Sequence, residues 1–136
     1  MLKEILFNDN SGILLGKMLD KSALSQRVIA ANIANVGTPG YKSLGVSFDE
    51  KLKGALRSGS NNMIRTNPRH LPAENMLMKI EPEVGIVENG YWNGINNVNI
   101  EEEMVELAKN QLDFNIATKL LSDRFTGLRT AIRGRR

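Results

Sequence analysis

The chain has 136 residues, 18 Lys and Arg against 15 Asp and Glu, six methionines, few aromatics and no cysteine. That is one domain's worth of sequence, enough for a modest core. The absence of cysteine excludes disulfides and thiolate metal sites, and a net charge of +3 is too small to set a partner by itself.

At the start, Leu2, Ile5, Leu6 and Phe7 are apolar, but Lys3-Glu4 interrupt them and Asn8-Asp9-Asn10 end the run. This is too short and too charged for the apolar core of a secretory signal. Nor does any later apolar run reach the ~18–20 residues that a membrane span needs.

The spacing predicts a first helix over about Ser11 to Asn35. Leu14, Leu15, Met18, Leu19, Val28, Ile29 and Ile33 fall on one half of its circumference. Leu15, Leu19, Ser22, Gln26, Ile29, Ile33 and Val36 step by fours and threes, a coiled-coil spacing softened by Ser22 and Gln26. The helix runs into Ala30-Ala31-Asn32-Ile33-Ala34-Asn35-Val36-Gly37-Thr38-Pro39-Gly40-Tyr41-Lys42. Asn32 and Asn35 lie in its last turn, where carbonyls lack intrahelical partners and side-chain amides can donate to them. Gly37 suits the left-handed residue that closes a helix, and Pro39-Gly40 the central pair of a type II turn.

The middle changes character. Leu44 to Leu56 suits a short amphipathic piece, and Ser58 to Asn62 reads as a flexible loop. Arg65 to Pro72, with Asn67-Pro68 and Leu71-Pro72, is extended or turning. Met76 to Ile80 and Val84 to Val87 read as short strands, and Asn89-Gly90 suits a hairpin turn before Tyr91-Trp92. These are too few strands for an independent β domain.

A second helix is expected after Asn99, a natural N-cap, with Glu102 three residues on as a capping box requires. Glu101, Glu102 and Glu103 put negative charge where the helix dipole favours it. Ile100, Leu107, Phe114, Leu121 and Leu128 recur every seven residues, with Met104, Gln111, Thr118, Phe125 and Ile132 as companions. The repeat implies a helix near ~50 Å long. Val105, Leu112, Ile116 and Leu120 form a second apolar row, a third of a turn or more from that seam. A hairpin with the first helix covers one seam; the other is covered either by the middle segment or by neighbouring subunits. The fold expected is mainly α, an antiparallel helical hairpin or coiled coil with a loop-rich middle holding a few short β segments. Its parts are 1–43, 44–98 and 99–136, in one structural domain.

Little chemistry is on offer. His70 sits in a loop with Pro72 between it and Glu74, so packing or subunit contact suits it better than catalysis or metal binding. Phosphate-binding and nucleophile motifs are missing, and no catalytic residue, cofactor or metal site is expected. Arg124, Arg129, Arg133, Arg135 and Arg136 crowd the C-terminus, as complements to the helix dipole or as a polyanion-binding tail. A basic coiled-coil regulator bound to nucleic acid is the weaker alternative, since Tyr91 and Trp92 lie far from these arginines among Glu81, Glu83 and Glu88.

The string from Ala30 to Lys42 resembles the signature of the bacterial flagellar axial proteins, the rod, hook and hook-associated family. Arg69-His70-Leu71-Pro72, Asn96-Asn97-Val98-Asn99 and the run from Met104 to Leu112 extend the likeness to the basal-body rod proteins. The resemblance implies a structural subunit of the proximal rod, or of another small part of that rod, in the periplasm-spanning basal body. It implies a torque-transmitting shaft and export channel, and export through the flagellar type III apparatus without a cleaved signal. Implied partners are other rod proteins, copies of itself, and the basal adaptor and inner-membrane ring proteins. The signature residues are Asn32, Asn35, Gly37, Thr38, Pro39, Gly40 and Tyr41. Packing is expected of Leu15, Leu19, Ile29 and Ile33, then Leu107, Phe114, Leu121, Phe125 and Leu128, with Leu112, Ile116 and Leu120 as the second seam.

Overall fold

The computed structural model describes residues 10–59, 76–88 and 91–134. Helix α1 spans Asn10–Ala34, followed by strand β1 (Leu44–Ser47), helix α2 (Asp49–Gly59), a single turn α3 (Met76–Lys79), strand β2 (Glu83–Ile86) and helix α4 (Ile100–Arg133). The two long helices pair antiparallel: Asn32 lies against Glu103, and the Asn110 amide donates to the Ser22 carbonyl at 3.0 Å. The expected mainly helical hairpin with a small β element is therefore the observed fold.

Helix α4 starts where the capping pattern places it. Asn99 is extended (φ −103°, ψ 108°), and its side chain accepts from the Glu101 N–H at 3.1 Å. The first-turn acids Glu101 to Glu103 complement the dipole there. At the far end Gly134 closes the helix at φ 61°. At 34 residues, α4 is about 51 Å long.

The middle is built on a two-stranded antiparallel ribbon in which Leu44 pairs with Ile86 and Val46 with Val84. Beneath it Phe48, Leu77 and Ile80 form a small buried cluster against Ile13, Leu52 and Ala55. Phe48 is 2% exposed, and the Lys21–Asp49 ion pair (2.7 Å) sits beside it. Asp49 and Glu50 in the first turn of α2, and Arg57 in its last, match its dipole.

Several expectations need correction. Met76 to Lys79 form a helical turn rather than a strand, because Leu77 and Ile80, three apart, both reach the cluster on Phe48. Strand β2 pairs back to β1, not forward to Tyr91-Trp92. Ser58 and Gly59 belong to α2. The turn at Asn89-Gly90, the remainder of the Ser58–Asn62 loop, Arg65 to Pro72, His70, Glu74, Leu2 to Phe7, Arg135 and Arg136 lie outside the described residues. Among the described residues, no helix is long and apolar enough to cross a membrane.

The hairpin seam also runs differently. On α1, Ser25 is half-buried while Gln26 is exposed, and Asn32 is more deeply buried than Ile33. On α4 the companions of Leu107, Leu121 and Leu128 are Glu103, Asn110, Ala117 and Arg124, one residue earlier than expected. Met104, Phe125 and Ile132 are left exposed. Side chains with hydrogen-bonding groups hold this part of the hairpin, and much of the apolar surface faces outward.

Candidate functional site

A clamp of asparagines holds the end of the hairpin where the chain leaves α1 and enters α4. Asn32 is 1% exposed and uses its whole amide. Its Nδ2 donates to the Leu44 carbonyl and to Glu103 Oε1, both at 2.8 Å. Its Oδ1 accepts from the Leu44 N–H at 2.9 Å and the Tyr41 hydroxyl at 3.1 Å. Asn32 thus pairs with Leu44 as a neighbouring strand would, tying α1, β1 and α4 together. Asn35 acts locally: Nδ2 donates to the Ala31 carbonyl at 2.8 Å, and Oδ1 accepts from Thr38 Oγ1 at 3.1 Å.

The remaining carbonyls at the end of α1 are taken by a residue from the other side. Asn96, fully buried, donates through Nδ2 to the carbonyls of Asn35, Val36 and Thr38 at 2.9–3.1 Å. Its Oδ1 accepts from the Val98 N–H at 2.9 Å. Asn93 supports it, with Oδ1 accepting from the N–H groups of Ile95 and Asn96 at 2.8 Å. Asn97 extends the ribbon, accepting from Ser43 N–H at 2.6 Å and donating to the Val87 carbonyl at 2.9 Å. Sequence reading placed Asn96 and Asn97 only in a family likeness. The signal that marks them is four asparagines between Asn93 and Asn99, more than one N-cap requires.

Pro39-Gly40 forms the expected turn: Tyr41 N–H reaches the Thr38 carbonyl at 3.3 Å, and Gly40 has φ 71°. Gly37 does not take a positive φ, so the left-handed closure expected there is absent. Asn96 supplies the carbonyl partners instead. A Cβ on Gly40 would meet no heavy atom within 4 Å, so its substitution costs through backbone conformation alone. Gly40→Ala is expected to lower stability by about 1–2 kcal/mol and Gly40→Val by more, measured by urea unfolding.

Glu103 sits half-buried under Asn32 with its pKa raised from 4.5. Burial is the main cause; the Asn32 hydrogen bond opposes it, and Glu106 and Glu102 add to it. An acid whose pKa rises on folding holds its proton more tightly in the native state. Its contribution to stability therefore falls as pH rises from about 4.5 through the folded value. Glu103→Gln keeps an acceptor for Asn32 and removes the charge. Its urea midpoint should exceed that of the wild type at about pH 7, with the gap narrowing towards about pH 4.

The packing residues divide into two groups. Ile29 is buried, and Leu15, Leu19, Ile33, Leu107 and Leu121 are half-buried on the sides of the helices that meet, while Leu128 is half-buried further along α4. Phe114 (38%) and Phe125 (41%) are more open. Leu112, Ile116 and Leu120 lie on the second row at 60, 48 and 51% exposure, with Val105 at 53%. At 100° per residue this row is centred roughly 130° from the seam. The described parts of the middle pack on α1 and do not cover it.

A family model described as "Flagella basal body rod protein" matches residues 21–42, the end of α1 and its turn. Over nearly the whole chain, the sequence is 32% identical to the flagellar basal body rod protein FlgB of Bacillus subtilis (strain 168), covering 88% of this chain and 91% of the relative. The chain belongs to the FlgB family of flagellar basal body rod proteins. Borrelia hermsii FlgB is 32% identical across 86% of this chain and 91% of its own, and Escherichia coli (strain K12) FlgB 29% across 81% and 83%. As a FlgB-family member the chain is a structural subunit of the flagellar basal body rod. The clamp's hydrogen bonds join the end of α1 to β1, to the segment entering α4 and to the first turn of α4.

Proposed function

We propose that the subunit joins the proximal rod by burying the Val105–Leu112–Ile116–Leu120 row of α4 against neighbouring axial subunits, with the asparagine clamp holding the hairpin rigid. The observation that carries this reading is the exposure of four large apolar side chains in one line on a continuous helix. About half of each is already covered, so burying the rest is worth roughly 0.7–1.5 kcal/mol per residue and about 3–6 kcal/mol for the row. Close packing of such rows resists shear, as a shaft that transmits torque around an export channel requires. Neighbours on this reading are copies of the chain, other rod proteins, and the adaptor and inner-membrane ring proteins at the rod's base. The chain passes through the flagellar export apparatus and performs no catalysis. The family signature at Asn32 to Tyr41 acts through hairpin geometry rather than by contacting a ligand. Leu112→Ser with Leu120→Ser tests the reading: incorporation into isolated basal bodies should fail while the purified chain keeps its helix content.

A further inference from the structure

Beside the clamp, α1, β1 and the start of α4 enclose a groove of about 500 Å³. Val28, Ile29, Leu44 and Val46 lie in it, and Glu102, Glu103, Glu106 and Asp113 line its α4 side. The two lysines that also line it are committed, Lys21 to Asp49 at 2.7 Å and Lys109 to Glu106 at 2.5 Å. With both ion pairs set aside, Glu102, Glu103 and Asp113 remain as carboxylate beside an apolar floor, next to the paired Glu106. Ser43 also lines the groove, with its Oγ buried and without a hydrogen-bond partner. Burial already penalises the Glu103 carboxylate, a penalty that an arriving cation would relieve. Among the described residues no acidic group has the arrangement of a metal site, so an organic cation fits better than an ion.

The complementary surface is at the other end of the same helix. Glu103 faces Asn32, and Asn110 faces Ser22, so Asn10 falls opposite the region of Ser122. The rest of α4 extends past the described start of α1. There Phe125 (41%) and Ile132 (70%) share a face with Arg129 and Arg133, both exposed. The last acid in the chain, Asp123, is held by Lys119 at 2.9 Å. An apolar face flanked by guanidinium groups matches an apolar floor flanked by carboxylates.

Building on the rod-subunit reading, we propose that the Arg129–Arg133 end of α4 in one copy docks into the Glu102–Glu106 groove of the next, joining subunits head to tail. Arg133 and Glu106 of one molecule stand about 40 Å apart along a continuous helix, so the contact is between copies. Two turns of helix fill roughly 900–1,200 Å³, more than the groove holds. The side chains therefore enter, and the helix backbone stays at the mouth. Such a heterologous contact leaves a free groove and a free helix end at every step, and so propagates.

The test is a charge exchange on the full chain, read by sedimentation and by crosslinking. Arg129→Glu with Arg133→Glu, and separately Glu102→Arg with Glu106→Arg, should each weaken self-association about tenfold or more. An equimolar mixture of the two variants should recover it, because each groove then meets a helix end of opposite sign. The chain has no cysteine, so Arg133→Cys with Glu106→Cys should give intermolecular disulfide ladders under mild oxidation. Wild-type copies that do not associate, swapped variants that associate normally, or a mixture that fails to recover would overturn the contact. If Leu112→Ser with Leu120→Ser abolishes assembly while the charge exchange leaves it intact, the rod-packing reading stands and this contact does not.

Discussion

Asn32→Ala is expected to destabilise the subunit by about 3–5 kcal/mol, a large share of the 5–15 kcal/mol that holds a domain of this size together. The substitution orphans both backbone groups of Leu44, and it removes partners from Tyr41 and Glu103. Each buried backbone group left unpaired costs about 1–3 kcal/mol. Asn32→Leu should cost at least as much, since filling the space excludes the water that would otherwise satisfy Leu44. Asn35→Ala should cost only about 1 kcal/mol, because its amide serves carbonyls and hydroxyls in the adjoining half-exposed turn. Urea unfolding of the three variants checks the order, and equal losses for Asn32→Ala and Asn35→Ala would contradict the clamp.

The second large effect is on assembly. Leu112→Ser with Leu120→Ser removes two side chains that are 60 and 51% exposed, so the monomer should lose little stability. In a rod packed through this row the same change removes about 1.5–3 kcal/mol from every subunit contact. A polymer multiplies that loss along its length, and motility should disappear. Leu121→Asp is a blunter probe. Leu121 is half-buried in the hairpin itself, so a charge there damages the fold as well as any contact.

The long helices were legible in the sequence because each carries signals that agree. Asn99 with Glu101 to Glu103 starts α4, and Pro39-Gly40 turns the chain after α1, as observed. The seam was legible only in part. Apolar heptads point to Met104 and Phe125, whereas the more buried companions are Glu103, Asn110, Ala117 and Arg124. The criterion failed because Asn32 and Asn110 pack by hydrogen bonds, which hydrophobic periodicity does not register. Asn96 escaped for a related reason. Its partners are carbonyls about 60 residues away, so the asparagine cluster at 93–99 marks the segment without showing which helix end it closes. The turn at Met76 to Lys79 depended on tertiary contact with Phe48, which overrides the weak propensities of so short a segment.

On the proposed packing, neighbours cover the outward apolar row of α4. Density for this subunit in an intact basal body, at a resolution that places side chains, tests it directly. Val105, Leu112, Ile116 and Leu120 should lie in van der Waals contact with apolar side chains of adjacent axial subunits. The same four side chains facing open solvent or the channel lumen, with every subunit contact made elsewhere, would contradict it.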